Sequence, residues 1–115
     1  MKASAHKDSA EDFDFFVTVG DNLYPRSHGK PTNSEFDKMI GLFQKSHIKD
    51  LDIYPVRGNH DCYFEDQEAE LRLSTKHKNW KMGSYFYSKN VPLDKGKYLN
   101  LLMVDSCYLL CYKVA

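Results

Sequence analysis

Residues 13–24 read FDFFVTVGDNLY. Phe13, Phe15, Phe16, Val17 and Val19 form a short apolar, β-branched run, and Gly20-Asp21-Asn22 stops it. Such a run, ended by a sharp polar turn, predicts a buried strand of a parallel sheet. A second stretch repeats the pattern: Asp52-Ile53-Tyr54-Pro55-Val56-Arg57, then Gly58-Asn59-His60-Asp61. Pro55 donates no hydrogen bond, which places this strand at a sheet margin or makes it locally irregular. Between the strands, Tyr24-Pro25 and Gly29-Lys30-Pro31 predict a loop. A helix should start near Thr32, where Thr32 and Glu35 fit a capping box. Phe36, Met39, Ile40 and Phe43 then fall on one helix face, whose expected role is core packing. The result is a right-handed βαβ unit. In such units ligands gather beyond the carboxyl ends of the strands, where both polar turns lie.

Downstream, residues 65–76 suggest a short, weakly amphipathic helix. Trp80 to Tyr87 and Tyr98 to Asp105 read as two further strands, with turn chemistry across 89–96. Leu99, Leu101, Leu102, Met103 and Val104 are apolar at nearly every position, which predicts cover on both faces. Trp80, Tyr85 and Tyr87 are expected in the core or a cavity wall. Residues 1–11 are polar and read as a frayed tail.

Composition narrows the function classes. A chain of 115 residues allows one domain. Its 42% hydrophobic content argues against disorder. Sixteen basic and sixteen acidic residues balance, so charge gives no reason to expect nucleic acid as a partner. No apolar run approaches a membrane span, and no partner protein is evident. Cys62, Cys107 and Cys111 have no CxxC spacing, and Cys107 reads as an ordinary small apolar residue. The lysines at 30, 45 and 49 and the basic run at 76–81 read as solvated faces.

The two turns carry the chemistry. Asp21 and Asn59 are 38 residues apart, enough for a strand end, a crossover helix and the next strand. Asp21 is a natural bridging ligand for two cations about 3.5–4 Å apart. Tyr24 as phenolate would be a hard anionic donor suited to high-valent iron. Asn59 offers a neutral oxygen for a divalent ion. His60 is placed to touch a phosphate oxygen or a leaving group.

GDNLYP at 20–25 and GNHD at 58–61, in that order, resemble two sequence blocks of the calcineurin-like metallophosphoesterases. Tyrosine three residues after the aspartate looks like the purple, or tartrate-resistant, acid phosphatase branch. NWKMGSYFYS at 79–88 and LLMVDSCYLLC at 101–111 are similar to later stretches of that branch. The resemblance spans roughly residues 11–111. It implies an α/β fold: part of a metallophosphoesterase αββα sandwich, built of a βαβ unit plus further strands, with residues 1–115 forming a single, partial domain. It implies metal-assisted hydrolysis of phosphomonoesters at a binuclear centre of iron plus a divalent ion (Fe, Zn or Mn). Asp21 would bridge the metals, Tyr24 would bind iron, Asn59 would bind the divalent ion, and His60 would contact the phosphate. Asn22 and Asp61 would orient these ligands through hydrogen bonds.

The family's upstream aspartate block and its downstream GHxH histidines are not matched in this sequence. His6, His28, His47 and His77 lie in other contexts and read as surface or helix-end residues. The expectation is an internal piece of a larger domain with little or no activity alone. The competing class is a non-catalytic binding or scaffold module with this fold. A nucleotide-binding sheet is disfavoured, because GxGxxG and GxxxxGK[ST] are both absent. Family members of this branch are often secreted or lysosomal, but no signal segment is visible, so the compartment is left open.

Overall fold

A computed structural model describes residues 13–25, 30–44 and 48–111. The frayed tail read at 1–11, and His6, His28 and His47, lie outside the described residues, as does the middle of the loop after Pro25.

The first apolar run forms β1 (Phe15–Val19). The capping box forms as read: the Glu35 amide donates to the Thr32 hydroxyl, and the Thr32 amide donates to the Glu35 carboxylate. It opens α1 (Asn33–Gly41), which buries Phe36, Met39 and Ile40. The chain then enters β2 (Asp52–Val56), which pairs in parallel with β1 in the register Phe15↔Asp52 to Val19↔Val56. The unit therefore has the predicted order, strand–helix–parallel strand.

Pro55 lies in this pairing on a margin strand, as read: among the described residues β2 has β1 on one side and only the isolated bridge at Trp80 on the other, and the sheet accepts the buried proline there. The reason is the alternation of backbone direction along a strand. Ile53 turns its N–H and C=O away from β1, towards Asn79 and Lys81, in a short parallel bridge with Trp80. Pro55, two residues on, faces the same way. Its missing N–H thus costs β1 nothing, and its carbonyl accepts the Tyr87 hydroxyl at 2.6 Å.

A single 3₁₀ turn (Asp61–Tyr63) follows β2, and then α2 (Ala69–Lys76), which is shorter than the helix read over 65–76. Trp80 to Tyr87 is not one strand. Trp80 makes only the bridge to Ile53, and residues 83–85 bend. The strand proper is β3 (Phe86–Pro92), paired antiparallel with β4 (Tyr98–Val104) from Phe86↔Val104 to Pro92↔Tyr98. The reversal is tighter than the 89–96 span. Lys95 and Gly96 both take positive φ, 59° and 68°, which closes the turn between Leu93 and Lys97. A last helix, α3 (Ser106–Cys111), was not foreseen; the side chain of Asp105 caps it by accepting the Tyr108 amide.

The core joins α1, β2 and α2: Phe36, Met39, Ile40, Ile53, Phe64, Leu73, Trp80 and Met82 are all buried together. Tyr85 and Tyr87 pack against it, as read. Two expectations of burial fail. On β1, Val17 and Val19 share one face and are 42% and 88% exposed, because nothing among the described residues covers that face. On β4, Leu102 is 76% exposed and Leu99 and Val104 are open too; Met103 alone is buried, since β3 and β4 form a separate two-stranded sheet. Cys107 is not an ordinary apolar residue. It forms a disulfide with Cys62, Cα–Cα 5.5 Å, tying the first turn of α3 to the 3₁₀ turn. Among the described residues no helix is long and apolar enough to cross a membrane.

Candidate functional site

β1 and β2 run side by side, so the turns that follow them meet backbone to backbone. A methyl group on Gly20 would lie 2.6 Å from the Gly58 Cα, and one on Gly58 would lie 2.3 Å from the Asp21 amide nitrogen. Gly20 also has φ 104°. Only glycine permits this approach and this backbone angle. Asp21 continues the turn at φ 51°, an orientation that aspartate tolerates better than most residues.

The close approach brings chemistry from both turns together. One carboxylate oxygen of Asp21 accepts the His60 amide at 3.0 Å, and the other accepts the Tyr24 hydroxyl at 2.9 Å. The Tyr24 ring packs on the His60 imidazole, centroids 4.5 Å apart. The backbone N–H of His60 holds the Asp21 carboxyl below its ordinary range; burial opposes it, and the Tyr24 hydroxyl adds a smaller lowering. The same hydrogen bond, followed by burial, pushes the Tyr24 phenol up. Asp21 is thus a held anion and Tyr24 a neutral phenol. Asn59 stands exposed on the second turn, one residue before the amide that binds Asp21; its side chain makes no hydrogen bond with Asp21 or Tyr24.

Beneath these groups lies a buried polar layer. Asp61 is 0% exposed and accepts the amides of Gly58 (2.7 Å), Asn22 (3.1 Å) and Leu23 (3.3 Å), so one side chain fastens both turns. Asn22 donates to the Val56 carbonyl at 2.9 Å and to Glu70 at 3.2 Å. Both side chains thus hydrogen-bond the backbone at the two strand ends. Arg57, 4% exposed, anchors the second turn from below. Its Nε donates to Asp105 at 2.7 Å, another nitrogen reaches Gln67, and the guanidinium lies 4.0 Å from the Tyr85 ring centroid. A charge so buried needs its partner: removing one member of such a pair leaves the other uncompensated.

A family model of calcineurin-like phosphoesterases matches residues 3–112. The chain belongs to the calcineurin-like phosphoesterase family. Membership makes it one of a class of phosphoesterase hydrolases, and its mixed α/β architecture, with one small parallel and one small antiparallel sheet, is consistent with part of a metallophosphoesterase fold. No curated protein matches the chain.

Members of this family typically hold two metal ions. The donor chemistry at the turns suits a hard cation: an anionic carboxylate, a phenol that would have to lose its proton, and a neutral amide. It does not amount to a two-metal set. Among the described residues no three His, Cys, Asp or Glu side chains cluster as they would around a metal ion.

Three participants were not singled out from sequence: Glu70, Arg57 and the Cys62–Cys107 pair. The available signal for Glu70 was a charged residue three positions from Leu73, on the buried stripe of α2. Arg57 directly precedes the glycine of the second turn, which gave no sign that its charge would be buried.

Proposed function

We propose that this chain contributes the central part of an acid-phosphatase-like phosphomonoesterase, of the purple acid phosphatase branch, whose intact domain carries a binuclear centre of iron and a divalent ion. The observation that carries this reading is the junction of Asp21, Tyr24 and the His60 backbone at the ends of two parallel strands. Asp21, Tyr24 and Asn59 would hold the metals, with Asp21 shared between them. When bound, the ions neutralise charge that develops on phosphorus and its oxygens. The chain's own residues supply the rest. The His60 imidazole, tilted 49° against the Tyr24 ring, would donate to a phosphate oxygen or the leaving group. Asp61 and Asn22 keep the two turns in register while substrate binds.

Manganese or zinc binding to the full chain, followed by calorimetry, tests the site. Asp21→Asn should weaken affinity by roughly 100-fold or more, beyond the 10- to 100-fold typical of orienting residues. Equal affinity in both proteins refutes the assignment. A second reading, a binding or scaffold module without catalysis, draws on the absence of a three-ligand cluster among the described residues. Metal content discriminates: a bound ion that Asp21→Asn loses supports the hydrolase, and none supports the module.

A further inference from the structure

We propose that Glu70 is a positioning residue of the candidate site: its carboxyl, wedged between Asn22 and Asp61, sets the spacing of the turns that carry Asp21 and His60. The proposal rests on the reading of those turns as a metal and phosphate site.

Glu70 is 1% exposed, on the inner face of α2. Its backbone is fixed as well, because the Trp80 indole N–H donates to its carbonyl at 3.0 Å. One carboxyl oxygen accepts the Asn22 amide group at 3.2 Å. The other, Oε1, is buried and meets no donor. An orphaned acceptor at this depth is costly unless it carries a proton. Asp61 is the neighbouring carboxylate whose charge acts on Glu70, and it is the acceptor such a proton would reach. Asp61 is already engaged by three backbone amides, so it serves as the acceptor and Glu70 as the donor.

The charged groups facing Glu70 favour the same state. Burial first, then Asp61 from the 3₁₀ turn, push its carboxyl up to about 9; Asn22 from the first turn and Arg57 from the end of β2 act the other way. The influence of Arg57 is limited by its own partner, Asp105. A neutral carboxyl accepts from Asn22 and donates to Asp61 at once. Each bond belongs to a different turn, so Glu70 acts as a clamp between them. A carboxamide has the same paired capacity; a thioether of similar length has neither.

The test compares the full-length chain with Glu70→Gln and Glu70→Met. Carbon-detected NMR follows the Asp21 carboxyl and the His60 backbone without metal, and manganese titration gives affinity at pH 6 and pH 10. In the parent chain the Asp21 and His60 signals should move with a midpoint near the Glu70 value of about 9, with manganese affinity falling about tenfold beyond the change seen in Glu70→Gln. Glu70→Gln should hold the low-pH signals throughout. Glu70→Met should show the displaced signals at both pH values. Parallel behaviour of the parent and Glu70→Gln across the range overturns the proposal, and this comparison stands even if Glu70→Met does not fold. If manganese binds none of the proteins but the NMR pattern holds, the clamp survives and the metal-site reading fails.

Discussion

Gly58 has no room for a methyl group. Its Cβ would meet both the amide nitrogen and the carboxylate of Asp21 at 2.3 Å, and the nitrogen is backbone that cannot swing aside. Gly58→Ala should therefore cost about 1–3 kcal/mol in urea unfolding and separate the two turns. An unchanged midpoint would show that the turns are not in contact. Glu70 yields a second residue-scale expectation. Its folded value, about 9, lies above the ordinary 4.5. Between these values the folded chain keeps a proton that the unfolded chain releases. The associated stability is complete below pH 4.5 and is lost as pH rises through about 9. Relative to Glu70→Gln, the parent should lose up to ~1.4 kcal/mol per pH unit in that window. Denaturant midpoints across pH 5–9 measure the difference, and parallel curves would rule it out.

At the scale of elements, the sequence was most legible where a local rule decides the outcome. The Thr32–Glu35 capping box, the stripe Phe36-Met39-Ile40 and the first strand–turn junction depend on neighbours within a few residues, and all three form. Legibility failed where partners are distant. The apolar run of β4 was read as doubly covered, but apolar character cannot say whether a second layer lies above it. The cysteines were unreadable for the same reason: Cys62 and Cys107 are joined across 45 positions. That link should stabilise the fold by about 4 kcal/mol in the chain-entropy view. Replacing both cysteines with alanine should lower the unfolding free energy by roughly 2–4 kcal/mol. A loss under about 0.5 kcal/mol, the range of ordinary surface changes, would refute a constraining role.

Across the whole molecule, the candidate site was legible as a pair of motifs and illegible as a network. Asp21, Tyr24, Asn59 and His60 can be chosen from two short stretches, whereas the layer beneath them joins Arg57, just before the second turn, with Glu70 and Asp105 from two other places in the chain. The outside is unusually apolar in places, with Val19, Leu102 and Val104 at least half exposed. Such surface should bind a hydrophobic dye. Val19→Thr combined with Leu102→Ser should reduce dye fluorescence while changing stability by no more than about 0.5 kcal/mol. Unaltered fluorescence would locate the sticky surface elsewhere.

The Cys62–Cys107 bond has a practical corollary. It closes one residue after Asp61 and two after His60. A preparation purified with a thiol reductant would thus hold its histidine turn by packing and hydrogen bonds alone. One purified in air would hold it by a covalent strut. Assays of the two would compare different molecules, so the redox history of a sample belongs beside its metal content.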